Sequence, residues 1–244
     1  MSLGINTTTP DGMVFAADSR QSYRNQKGMS RIGSDSASKV FKLGEKSGII
    51  VTGLAFIPEN NVFKNISHFI DDFIKTTSDI NDLTIIKLSE KIKTYFEGKY
   101  QYKEQFNKIS EQIKLDLENK KCKIIDTKIE QDCIKCKFNE PSGKPSEIVW
   151  APEKLVFIVG GYNKDSSHQV YQLNIPGAIE SRRDSLQKGH EYGAAWIGQS
   201  DVTSRIILGY DACLENLPMT QKSISEIGSE EVRKQLRGLE YMIN

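Results

Sequence analysis

The sequence predicts an α+β fold, because short paired apolar runs give way to helical periodicity and then to short runs again. Residues 3–8 and 13–18 are predicted to form one hairpin around a Thr-Pro-Asp-Gly turn. Residues 39–43 and 49–53 are predicted to form a second hairpin. The polar stretch at 21–38, between the two hairpins, is expected to be a loop.

The rest of the chain continues this alternation. Apolar residues three and four apart predict one amphipathic helix over 59–76 and a second that starts near Asp82 and can extend to about Asn119. Further strands are predicted at 155–161, 169–173 and 193–197, and helices near 201–213 and 226–241. No repeat or Gly/Ser linker divides the chain, so we expect one domain over 1–244 with an insertion of short strands or loop at about 98–150.

Composition and charge argue against several classes of protein. The 33 Lys and Arg residues nearly balance the 32 Asp and Glu residues, and a net charge of +1 does not suit a nucleic-acid or polybasic membrane surface. No apolar run approaches the ~20 residues that span a bilayer, and the first residues lack the regions of a signal peptide. We therefore expect a cytoplasmic protein with no nucleic-acid or membrane partner.

Metal and histidine chemistry have little support in the sequence. Cys133 and Cys136 form a single CxxC pair with Cys122 as a third candidate ligand, whereas a structural zinc site needs four ligands. The three histidines are scattered, and no nucleophile-elbow, phosphate-binding or HExxH motif is present. A zinc knuckle remains the minor alternative to ordinary strand or turn cysteines, and we expect no metal and no cofactor.

The open ends of the first two hairpins bring reactive groups together. In the first hairpin, paired residue numbers are expected to sum to 21, which places Ser2 beside Asp18 and Arg20. In the second hairpin they are expected to sum to 92, which places Lys39 opposite Gly53. Either register can slip by one or two residues, yet one open end still carries the chain terminus, Asp18 and Arg20, and the other still carries Lys39 and Gly53.

This grouping has a chemical meaning. Once Met1 is removed, the serine that follows carries both a hydroxyl and an α-amine, whose pKa of about 7.7–8.0 lets it accept the hydroxyl proton. A nearby cation such as Lys39 lowers the pKa of that amine, Asp18 holds the lysine, and the Gly53 amide stabilises an oxyanion. The alternative is a surface ion pair of Asp18 with Arg20 or Lys39 at frayed strand ends.

The same residues resemble a known family. The sequence Asp-Gly-Met-Val-Phe-Ala-Ala-Asp-Ser-Arg at 11–20 resembles the DG-VV-AADSR segment of proteasome β-type subunits. Other segments look like the family's lysine hairpin, the glycine segment after it and the third hairpin: 39–43, 51–55, 158–162 and 170–173. Over about 2–75 and 150–212, the chain is therefore similar to the proteasome-like N-terminal-nucleophile (Ntn) hydrolases, which include bacterial proteasome homologues.

The resemblance implies a four-layer αββα sandwich, a homo-oligomeric ring or stack, and peptide-bond hydrolysis without a cofactor. The family's nucleophile precedes the strand-end aspartate by 16 positions, which selects Ser2. The catalytic residues implied by position are Ser2, Asp18, Arg20, Lys39, Gly53 and Ser200. The implied substrate is a peptide or an unfolded protein, and an ATP-dependent unfoldase is a further candidate partner.

Three departures from the family keep two alternatives open. The nucleophile is serine instead of threonine, Gln199 stands where the family has a serine, and the chain stops at Asn244 where a further helix and strand pair is expected. We therefore expect the C-terminal end of the domain to be incomplete. The predicted function is a peptidase that forms an acyl-enzyme on Ser2. The alternatives are a non-catalytic structural subunit of a proteasome-like assembly and an Ntn amidase that acts on small amides.

Overall fold

The computed structural model describes residues 2–24, 29–130, 132–199, 203, 205 and 208–243. The strands described are β1 (Leu3–Thr9), β2 (Gly12–Ala17), β3 (Gln21–Arg24), β4 (Ser30–Ser34), β5 (Val40–Lys42), β6 (Ser47–Gly53), β7 (Phe56–Glu59), β8 (Val62–Asn65), β9 (Lys123–Ile129), β10 (Ile134–Asn139), β11 (Pro145–Trp150), β12 (Leu155–Tyr162), β13 (His168–Ile175), β14 (Ile179–Asp184) and β15 (Gly193–Gly198). The α-helices described are α1 (Ile66–Thr76), α2 (Ile85–Lys99), α3 (Tyr102–Asn119), α4 (Pro218–Ile227) and α5 (Ser229–Ile243), and short 3₁₀ turns lie at Ile80–Asp82 and Ala212–Asn216.

Two antiparallel sheets position the site. A five-stranded sheet has the order β14-β13-β12-β6-β5, and a three-stranded sheet has the order β15-β1-β2. A small apolar cluster lies between them and includes Ile50 and Ile158 from one sheet and Ile197 from the other. Gly4 on β1 permits this close approach, because a Cβ there would overlap the side chain of Ile50.

The helices α1 and α2 cover the other face of the five-stranded sheet. Their buried stripes pack on that sheet in the main core, where the rings of Phe96 and Phe157 lie 4.7 Å apart. Helix α1 begins at Ile66 because the Asn65 side chain accepts a hydrogen bond from the Ser67 amide at 3.0 Å. The apolar residues that give the sequence its helical periodicity therefore line the side of each helix that faces the sheet.

The predicted insertion consists of α3 and a separate sheet of order β11-β10-β9. It has its own apolar cluster around Leu117, Cys136 and Phe138, and its Trp150 packs edge-on against Phe106 in the main core. The CxxC pair lies here, with Cys136 buried and Cys133 half-buried. Within the described residues, no group of His, Cys, Asp and Glu side chains could hold a metal ion.

The predicted four-layer αββα sandwich is wrong. The described strands divide among five antiparallel sheets of two to five strands instead of two large ones. The C-terminal segment buries Tyr210, Val232 and Leu236 in an apolar cluster of its own, separate from the clusters that involve the two sheets. The chain is a mixed protein of helices and many small antiparallel sheets.

Several predicted element boundaries also differ. The helix predicted over 59–76 starts only at Ile66, because Asn60 and Asn61 adopt φ of +52° and +63° and turn the chain into the hairpin β7–β8. The stretch predicted as a loop contains the hairpin β3–β4. Helices α2 and α3 are separated at Tyr100 instead of forming one helix. No helix in the described part of the chain is long and apolar enough to cross a membrane.

Candidate active site

The first hairpin places Ser2 beside Asp18. Its register is the predicted one, with Gly4 opposite Ala17. Beyond the last ladder pair, the Asp18 amide donates to the Leu3 carbonyl oxygen at 3.1 Å, and the Leu3 amide donates to Asp18 Oδ1 at 2.7 Å. The Asp18 carboxylate is thus fixed against the backbone that leads directly to Ser2.

The second hairpin brings Lys39 to the same place, although its register differs from the predicted one. Val40 lies opposite Ile50, and the Val51 amide donates to the Lys39 carbonyl oxygen at 2.9 Å, so Lys39 lies across from Val51 and not from Gly53. The turn is tighter than expected, because the Leu43 amide already bonds to residue 47. The shift is two residues, and an even shift keeps each side chain on its original face of the sheet.

The Lys39 ammonium is the centre of the site. It lies 3.1 Å from Ser2 Oγ, 2.9 Å from each carboxylate oxygen of Asp18 and 2.6 Å from the Arg20 carbonyl oxygen. The lysine side chain is only 9% exposed. An ammonium carries three donors and no lone pair, so Lys39 acts on Ser2 as a hydrogen-bond donor and cannot take its proton.

The Asp18 carboxylate is held in its charged form. Burial raises the pKa of this carboxyl, but hydrogen bonds from the Leu3 amide and the Lys39 ammonium, together with the charge of Lys39, outweigh burial and leave the pKa below its ordinary value. The Arg20 amide adds a further donor at 3.1 Å. Asp18 therefore balances the charge of Lys39 at neutral pH.

Strand β15 fixes the backbone of Ser2 from the other side. The Gln199 amide donates to the Ser2 carbonyl oxygen at 2.7 Å. Gly198 makes this contact possible, since its φ is +89° and a Cβ would overlap the Ser2 carbonyl oxygen. This role of Gln199 was not predicted from the sequence, where its only signal is the glycine that precedes it.

The amide of Gly53 faces the same space. In β6, the Val51 amide points to β5, whereas the Leu54 amide donates to the Lys154 carbonyl oxygen on the opposite side at 3.1 Å. Because amides alternate along a strand, the Gly53 amide points to the side of Val51 and Lys39. Gly53 adopts φ of +87°, and a Cβ there would overlap the Lys154 carbonyl oxygen, so only glycine fits.

These groups border a cavity of about 340 Å³. Its lining residues are Ser2, Gln21, Ser22, Ala37, Ser38, Lys39, Val51, Thr52, Gly53, Leu54, Ala55, Asn65, Ile66, Ser67, Glu153, Gly198 and Gln199. Within the described residues, Gln21 Nε2 and Thr52 Oγ1 are buried in these walls without a hydrogen-bond partner. A hydroxyl, a lysine ammonium and a glycine amide therefore converge on one space that can admit a small peptide segment.

The two remaining predicted site residues are Arg20 and Ser200. The guanidinium of Arg20 binds the exposed Asp35 at 2.7 Å, so Arg20 contributes to the site through its backbone amide and carbonyl. Ser200 lies outside the described residues. The structure thus brings together Ser2, Asp18 and Lys39 by direct contact.

Comparison with known proteins adds no assignment. No protein-family model matches the chain, and no curated protein matches it significantly. The resemblance to proteasome-like hydrolases stays a prediction from the segments quoted above.

Proposed function

We propose that this chain is an Ntn hydrolase that cleaves peptide bonds through an acyl-enzyme on Ser2. The observation that carries the proposal is the 3.1 Å contact between Lys39 Nζ and Ser2 Oγ. A surface ion pair at frayed strand ends does not account for this contact, because Lys39 is buried and Ser2 is held by β15. Removal of Met1 gives the serine its free α-amine.

In the first half of the proposed reaction, Ser2 Oγ attacks the carbonyl carbon of the substrate. The hydroxyl proton passes to the α-amine of the same residue, directly or through one water molecule. The Lys39 ammonium stabilises the negative charge that develops on Oγ as the proton leaves. The Gly53 amide donates to the oxyanion of the tetrahedral intermediate.

The intermediate then collapses and the C–N bond breaks. The α-ammonium gives its proton to the departing amine, and the acyl group remains on Ser2 as an ester. In the second half, the α-amine accepts a proton from water, and the hydroxide so formed attacks the ester carbon. The ester C–O bond then breaks, the acid is released, and the α-ammonium returns the proton to Oγ. The hydroxyl and the free amine are restored, so no cofactor enters the cycle.

The proposal also covers the substrate, the location and the partners of the protein. The substrate is a peptide or an unfolded protein segment, because the cavity that Ser2, Lys39 and Gly53 border can admit a small peptide segment. By the same resemblance, we propose a cytoplasmic location, a homo-oligomeric ring or stack, and an ATP-dependent unfoldase as a partner. An analytical ultracentrifugation run on the purified chain tests the oligomer separately from the chemistry.

The direct test compares peptide hydrolysis by the unaltered protein and by Ser2→Ala. Ser142→Ala is the matched control, since Ser142 lies exposed in the turn between β10 and β11. We expect Ser2→Ala to lose all measurable turnover, Ser142→Ala to keep it, and the active protein to lack Met1 by intact mass.

The other outcomes separate the alternatives. Undiminished peptide hydrolysis by Ser2→Ala contradicts the proposal. Turnover of small amides without turnover of peptides supports the amidase. A stable oligomer without turnover of either substrate supports the structural subunit.

A further inference from the structure

The cavity beside Ser2 has one acidic residue among the described residues that line it. The charged residues that line it within the described part of the chain are Lys39 and Glu153. Lys39 is paired with Asp18 at 2.9 Å. Glu153 is exposed and has no ion pair with any described residue, so a negatively charged residue without a charge partner borders the cavity.

The backbone around Glu153 is firmly held. Its carbonyl oxygen accepts a hydrogen bond from the Tyr100 hydroxyl at 2.9 Å, and the next carbonyl oxygen, of Lys154, accepts from the Leu54 amide. The nearest lysine along the chain is occupied, because Lys154 Nζ lies 2.7 Å from Asp132. Burial, followed by the charge of Glu153, raises the pKa of Tyr100 to about 12.

Glu153 lies near the end of β6 that carries Gly53. Leu155 is directly opposite Gly53 in the sheet, and Glu153 is two residues before Leu155. The same cavity is partly lined by small or apolar residues, with Ala55 and Ile66 among them. A long side chain with an apolar stem and a cationic end suits such a cavity.

We infer that Glu153 is a specificity-determining residue and that the site takes peptides with a lysine or arginine side chain close to the scissile bond. This inference rests on the proposed function. The cation of the substrate supplies the charge partner that the described cavity walls lack for Glu153. A glutamate in the same substrate position is repelled.

The test uses fluorogenic peptide amides that differ at one position between lysine, norleucine and glutamate, with each of the four positions before the scissile bond varied in turn. Norleucine has the lysine stem without the ammonium. We expect kcat/KM to favour lysine over norleucine about fivefold at one position, the size of a partly exposed charge pair. Glu153→Gln removes this preference, Glu153→Lys reverses it towards glutamate, and Glu111→Gln, on the exposed surface of α3, leaves it unchanged.

A binding measurement separates this inference from the proposed reaction. Fluorescence anisotropy of labelled lysine and norleucine peptides on Ser2→Ala reports recognition without cleavage. Equal affinity for the two peptides, binding of neither, or a preference that survives Glu153→Gln overturns the inference. Selective binding that depends on Glu153, without cleavage by the unaltered protein, supports the assignment of Glu153 and contradicts the proposed hydrolysis.

Discussion

Replacement of Lys39 by methionine removes the ammonium and keeps most of the apolar stem. In the structure, this ammonium donates to Ser2, to both oxygens of Asp18 and to the Arg20 carbonyl oxygen. The variant therefore leaves the nucleophile without its cation and Asp18 without its main charge partner. Lys42→Met is the matched control, because Lys42 lies exposed on the adjacent strand β5.

Two magnitudes follow from these contacts. Breaking a fully buried ion pair costs about 3–5 kcal/mol, but the Asp18 side chain is 34% exposed and keeps two amide donors, so we expect a loss of about 1–2 kcal/mol in the free energy of unfolding. Loss of one donor at a developing negative charge lowers kcat by about 10²–10³. The loss of activity thus exceeds anything that partial unfolding explains.

The loss of stability in Lys39→Met is expected to depend on pH. The pKa of Asp18 is lowered in the folded protein, so its stabilisation is complete above the unfolded pKa of about 3.9 and is lost as the pH falls through the folded pKa. Lys39→Met removes much of that stabilisation, so the difference between the two proteins is largest near pH 7 and shrinks below about pH 4. Urea unfolding at several pH values measures it, and a difference that grows with acid refutes the reasoning.

The remaining predictions concern glycines and the core. Gly53→Ala places a Cβ on a backbone carbonyl and lowers kcat at least about 100-fold. The control is Gly143→Ala, at a glycine with a similar positive φ in open space, which lowers the free energy of unfolding by about 1 kcal/mol without loss of activity. Equal activity in the two variants contradicts the role of Gly53. Gly198→Ala displaces the Ser2 backbone and abolishes peptide hydrolysis while the far-ultraviolet circular dichroism is retained. Phe96→Ala lowers the free energy of unfolding by about 3–5 kcal/mol in urea titration, and Phe63→Ala, at 72% exposure, changes it by less than about 0.5 kcal/mol.

The groups of the candidate site were predictable because they depend on local pairing. A Thr-Pro-Asp-Gly turn sets the register of the first hairpin, and that register places Asp18 beside the start of the chain. The second register was off by two residues, because the turn after Leu43 is tighter and is anchored from afar by the Asn81 side chain, which accepts from the Glu45 amide at 2.8 Å. No local pattern contains that contact.

The arrangement of the elements was less predictable than the candidate site, because a periodic pattern of apolar residues does not show which of those residues become buried. Val62 and Phe63 extended the helical pattern, yet they are 58% and 72% exposed on the strand β8. The contact of the Gln199 amide with Ser2 joins residues far apart in the chain, so only the assembled sheet shows it. The Arg20 side chain likewise binds Asp35, and the sequence does not indicate the backbone path that brings Asp35 to it.

The central claim is that the hydroxyl and the freed amine of Ser2 act together. A peptide α′,β′-epoxyketone has two electrophilic carbons that capture a hydroxyl and an amine on one residue, and mass spectrometry of the treated protein locates the adduct. The account predicts a single adduct that bridges Oγ and the α-nitrogen of Ser2 in a chain without Met1, and none in Ser2→Ala. Full peptidase activity in protein that retains Met1, or an adduct on another residue, contradicts it.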